Sequence, residues 1–115
     1  MPDRLQPEDS AIDVEQVTAL FGGLDPAMRR LLLDAAQRDL AEWTDHLVAA
    51  FSADDAAACH RARHALKGLC GNFGASGLLA LCAMDLSQPG LALRLQSARA
   101  ATNLALARVV AGLDD

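Results

Sequence analysis

His60, His64 and Lys67 stand about one helical turn apart in a stretch that also holds Arg61, Gly68 and Gly71. An imidazole ordinarily titrates near about 6.5, so at neutral pH it offers an unprotonated, nucleophilic nitrogen. Such a nitrogen can form a covalent intermediate. A phosphoryl group held through an N–P bond is labile and can be handed on, whereas a phosphoserine is a poor donor. Lys67, one turn past His64, can balance the charge of about −1.5 to −2 that a phosphoryl group brings. Arg61, one turn back, can add to this at longer range. Phosphoryl transfer also needs alignment, a metal ion and charge stabilisation. No acidic cluster surrounds His64 in the sequence. These residues therefore supply a donor nitrogen and local positive charge, and a second protein brings Mg2+ and the acceptor carboxylate.

The glycines point the same way. A glycine inside a helix costs about 1 kcal/mol relative to alanine. Gly68 and Gly71 fall on the His64 side of their helix, where a bare patch lets another backbone come close. His60 and His64 have the spacing of a zinc pair, but a site needs further ligands. Cys59 points to the other face and no acidic residue has a helpful spacing, so no metal site is read here. Asn72 eases the helix end. There is no glycine-rich phosphate loop, no pair of carboxylates near His64 and no Ser/His/Asp set. The expectation is a carrier rather than an enzyme, without a cofactor of its own.

Five helices must position these groups. Ile12, Val14, Val17, Leu20 and Phe21 form a short first helix that Gly22-Gly23 ends. Asp25-Pro26 starts a long one, Asp as cap and Pro at the first position. Its stripe is Met28, Leu32, Ala36, Leu40, Trp43, Leu47 and Phe51, all expected in the core. Ser52 to Asp54 breaks that helix and caps the next, which runs from about Asp55 to Phe73. There, at about 100° per residue, Cys59, Ala62, Leu66, Leu69 and Phe73 share one side, and His60, His64, Lys67, Gly68 and Gly71 the other. Gly74 terminates it, and Ser76 can cap a fourth helix containing Leu78, Leu79, Leu81, Cys82 and Leu86. After the turn Ser87-Gln88-Pro89-Gly90, a last helix carries Leu91, Leu95, Ala98, Thr102, Leu106, Val109 and Leu113 at helical spacing. The expected fold is all-α, an antiparallel four-helix bundle with an additional short N-terminal helix. Residues 1–11 read as a flexible N-terminal arm and residues 12–115 as the bundle.

Composition agrees and excludes alternatives. Ala and Leu dominate, Tyr is absent and β-branched residues are few, which disfavours sheet. The net charge of −5 argues against nucleic acid, whose binders need a basic surplus. The polar, acidic N-terminus does not read as a signal peptide, and no apolar run approaches the roughly 20 residues that span a bilayer. Cys59, Cys70 and Cys82 are odd in number and scattered, which suits free thiols in a reducing compartment. A cytoplasmic location is expected.

The run His64-Ala65-Leu66-Lys67-Gly68, followed by Gly74-Ala75, resembles the signature of histidine phosphotransfer (HPt) domains of multistep phosphorelays. The helix layout extends the likeness to about residues 12–113. The resemblance implies a four-helix bundle in which His64 is the phosphorylated residue, Lys67 the neighbouring cation and Gly68 the cleared docking surface. His60, Arg61, Gly71 and Ala75 then join Gly68 as docking contacts. The implied partners are response-regulator receiver domains and a hybrid sensor kinase, met by a monomer. Leu81-Cys82 matches a recurrent feature of the family's next helix, while the usual Leu-Glu is replaced here by Leu86-Ser87. Two other classes compete. One is a receiver-binding module that is never phosphorylated, against which the joint presence of His64, Lys67 and Gly68 speaks. The other is the His-bearing part of a sensor or chemotaxis kinase. A sensor kinase has an acidic residue directly after its His, where Ala65 stands here, and no nucleotide-binding segment is visible.

Overall fold

The computed structural model describes residues 11–85 and 87–114. Among them are five helices and no strand: α1 (Val14–Gly22), α2 (Pro26–Ser52), α3 (Ala56–Phe73), α4 (Ser76–Cys82) and α5 (Leu91–Leu113). The first three helices begin in the same way. Asp13 accepts a hydrogen bond from the Gln16 amide at 3.2 Å, Asp25 from Met28 at 2.9 Å and Asp55 from Ala58 at 3.0 Å. Each carboxylate satisfies an amide that has no partner within its helix and sits at the positive end of the helix dipole.

Helices α2, α3, α4 and α5 pack each against the next, and α5 closes the ring on α2. Three links show that α5 runs antiparallel to α2. Arg29 pairs with Asp114 at 2.9 Å, Gln37 Nε2 donates to the Asn103 carbonyl at 2.9 Å, and Gln96 Nε2 donates to Asp45 at 2.9 Å. Helix α1 lies against α5 and the end of α3. Arg29 ties three elements together, its Nε donating to the Phe21 carbonyl at 3.0 Å and its Nη1 to the Leu113 carbonyl at 3.3 Å.

The core holds Val17, Phe21, Leu40, Leu47, Leu66, Leu78, Leu91, Leu95 and Leu106, all fully buried. Each such side chain contributes about 2 kcal/mol by leaving water. Two buried polar residues, Thr44 and Thr102, satisfy their hydroxyls by donating to the carbonyl one turn back, Leu40 and Ala98, both at 2.7 Å. Cys70 and Cys82 are buried between α3 and α4 as free thiols. The Cys70 thiol is pushed well above the ordinary range by its hydrogen bond to Cys82 and by burial.

Several expectations need correction. Met28 and Phe51 do not belong to the core: they are 48 % and 40 % exposed, lying in the first and last turns of α2. Thr44 and Ala50 are buried instead. Ala11, assigned to the arm, is buried with Ile12; the rest of the arm, residues 1–10, lies outside the described residues. Asp55 is the residue that caps α3, while Asp54 turns the chain with φ 56°. Ser76 does not cap α4: Ala75 holds that position without a side-chain bond, and Ser76 is the first helical residue. Helix α4 stops at Cys82, so it is much shorter than its neighbours, and Leu86 lies outside the described residues. Asp85 organises the turn that follows, accepting from the Ser87 amide and hydroxyl at 2.9 Å each. Those two bonds hold its carboxyl below the usual carboxylate value.

Candidate functional site

Helix α3 carries the site. Its inward face is Ala62, Leu66 and Cys70, buried at four-residue steps. Its end is fixed by Gly74, in the left-handed region at φ +67°, whose amide donates to the Cys70 carbonyl. A Cβ on Gly74 would stand 3.1 Å from Val17 Cγ2 and 3.4 Å from the Asp13 carbonyl oxygen. This close approach docks α1 on the turn, with the Asp13 amide donating to the Gly74 carbonyl at 2.8 Å.

With the inward face so fixed, His64 is turned out and exposed. Among the described residues no hydrogen bond holds its imidazole. Helix geometry sets Arg61 and Lys67 about 60° to either side, and His60 and Gly68 about 40° away, one turn down and one turn up. Gly71, seven residues on, lies about 20° from the His64 direction. His60, Arg61, Lys67, Gly68 and Gly71 are all exposed. A Cβ built on Gly68 or Gly71 meets nothing within 4 Å. The bundle itself therefore has no steric need for glycine at either position.

Ala75 is the exception among the expected contacts. It is 0 % exposed and packs in the core, because the left-handed Gly74 reverses the chain and turns Ala75 inward. It is removed from the docking face.

Two neighbours were not legible beforehand. Gln16 of α1 reaches over α3, its Nε2 donating to the Gly71 carbonyl at 2.7 Å, so α1 borders the exposed strip. Its partner lies 55 residues away in sequence, and no local pattern marks it. On the other side a cleft of about 440 Å³ opens between α2 and α3. Arg61 is shared between this cleft and the His64 face, and Trp43, His46, Ala49 and Ala58 also line it. The Trp43 and His46 rings meet edge to face at 4.9 Å. Arg63 faces away from His64, half-buried, with Nη2 donating to the Met84 carbonyl at 3.5 Å. Among the described residues no three His, Cys, Asp or Glu side chains gather closely enough to share a metal ion.

An exposed imidazole thus stands between two cations on a helix, beside glycines whose Cβ positions are open. A scan against protein families matches the Hpt domain over residues 27–112. The chain belongs to the Hpt family. The matched stretch takes in almost all of α2, the whole of α3 and α4, and α5 to within a residue of its end. Hpt domains serve histidine phosphotransfer in phosphorelays, and they are carriers rather than catalysts. Comparison with curated proteins and with solved structures gave no match. No helix among the described residues is long and apolar enough to cross a membrane.

Proposed function

We propose that His64 is the phosphorylated residue of this Hpt domain and that it relays a phosphoryl group between response-regulator receiver domains loaded by a hybrid sensor kinase. The observation that carries this reading is the pairing of an exposed, untethered His64 with two glycines of the same helix at which a Cβ would meet nothing within 4 Å. In the loading step a lone pair on an imidazole nitrogen attacks phosphorus of an aspartyl phosphate on the partner. The N–P bond forms, the P–O bond breaks, and its electron pair stays on the partner's carboxylate. Delivery is the reverse, onto the carboxylate of the next receiver. Lys67 and Arg61 lower the cost of bringing the dianionic group over α3. The receiver contributes Mg2+ and the acceptor carboxylate, so His64 needs only reach and alignment.

The docking face in this reading is the strip His60, Arg61, Lys67, Gly68 and Gly71, extended onto α2 at His46 and Ala49. Such a contact is small and transient. One copy of the chain carries the complete donor site, so the carrier works as a monomer. Its three free thiols suit the reducing cytoplasm, where receivers act.

The test is incubation with a phosphorylated receiver domain. Radiolabel should appear on the protein as an acid-labile, base-stable phosphate and be absent from His64→Gln. Label that persists in His64→Gln, or that never appears in the unmodified protein, sinks the assignment.

A further inference from the structure

The cleft between α2 and α3 is built largely from alanine. Ala50 and Ala62 are the buried members of its lining, and Ala49, Ala53 and Ala58 lie nearer the solvent. None of these side chains reaches far enough to close the gap, and about 440 Å³ stays open. Sites for small organic molecules begin at about 300 Å³ and are mostly apolar, with a few polar groups that fix orientation. Half-buried Trp43 supplies an aromatic wall at the end away from the interhelix turn, held edge to face against His46 at 4.9 Å. An indole so placed offers a planar ligand an offset or edge-on partner.

Charge decides the class of ligand. Arg61 lines the cleft and is exposed, and among the described residues it makes no hydrogen bond or ion pair. A guanidinium is always charged and presents a fork matched to a carboxylate. Asp55, the one acid in the lining, does not take it. Its carboxylate accepts from the Ala58 amide at the start of α3, six residues or about 9 Å of helical rise before Arg61. His46 is turned towards Glu42, with Nε2 3.9 Å from that carboxylate. An apolar slot with an aromatic wall and an unmatched guanidinium fits a flat, apolar molecule that ends in a carboxylate. We propose that the cleft between α2 and α3 binds a small aromatic monocarboxylate, its rings among the alanines against Trp43 and its carboxylate on Arg61. Arg61 also belongs to the docking strip, so on the receiver-docking reading given above the ligand and a receiver compete for it. The binding itself does not depend on that reading.

The probe is 2-naphthoate, titrated into the full chain by isothermal calorimetry, with 2-naphthalenemethanol as the uncharged control. Trp43 is the chain's one tryptophan, so its indole N–H resonance reports occupancy of the cleft. Naphthoate should bind one to one, shift that resonance and hold at least about tenfold more tightly than the alcohol, with the difference shrinking as salt is raised. Arg61→Gln should bring the acid down to the affinity of the alcohol and leave the alcohol unchanged. Ala49→Leu, at an exposed helical position that leucine suits, should fill the cleft and abolish binding of both while circular dichroism stays unchanged. Equal affinity for acid and alcohol, acid binding that Arg61→Gln leaves unchanged, or heat without a shift at Trp43 overturns the proposal. So does the absence of saturable binding. No receiver enters the measurement, so its failure leaves the assignment of His64 standing, and failure of that assignment leaves this site standing.

Discussion

The middle of α3 and its C-terminal turn both carry glycine, and for opposite reasons. At the turn, Gly74 has φ +67° and its Cβ position lies 3.1 Å from Val17, so the chain's own packing demands it. In the middle, Gly68 and Gly71 have helical backbone and open space where a Cβ would go. There the fold loses helix stability without any internal return. In the reading proposed above, the space at Gly68 and Gly71 is left for a receiver. This contrast within α3, together with the histidine, is what the proposed docking face rests on.

The contrast can be broken at either end. The largest effect expected is on stability, from Gly74→Ala. A left-handed non-glycine residue and a crowded Cβ together should cost about 3 kcal/mol. Urea unfolding with an unchanged m-value checks this, and a midpoint equal to the parent's removes the claim that α1 packing requires glycine there. Next in size is Gly68→Gln, which should slow transfer from a phosphorylated receiver about 100-fold by displacing the partner from attack distance. Its companion Gly68→Ala should raise unfolding free energy by about 1 kcal/mol. If Gly68→Gln transfers at the parent rate, the clearing has no role in docking. Smaller again is Lys67→Gln, expected to slow transfer or shorten the life of the phosphohistidine about tenfold, the size of one charge-assisted contact. Stopped-flow and label-decay measurements distinguish the two. An unchanged rate together with an unchanged lifetime returns Lys67 to the solvated surface.

The outer faces of α3 and α5 extend the comparison. One exposes an imidazole, cations and bare backbone; the other exposes leucines bordered by arginine. A single bundle can thus expose two different surfaces, because each helix spends only one stripe on the core.

Much of this was legible in the sequence, for identifiable reasons. The helical period placed Ala62 and Leu66 inward and turned His64, Lys67, Gly68 and Gly71 outward, as the structure has them. Asp25-Pro26 marked the start of α2, and Gly74 the end of α3. Local chemistry failed where position depends on a neighbour. Met28 and Phe51 continue the α2 stripe, but at its two ends they stay exposed. Ala75 continues the motif, but the chain reverses beneath it.

The sequence by itself determined that this chain is helical, which side of α3 is wet and that the wet side carries a histidine with cations and glycines, because periodicity and capping are properties of contiguous residues. Only the tertiary structure decided that a Cβ at Gly68 or Gly71 would meet nothing while one at Gly74 would meet Val17, that Gln16 reaches the Gly71 carbonyl, and that Leu93 and Leu104 are exposed. Those facts concern what stands opposite a residue, and what stands opposite is supplied by segments far away along the chain.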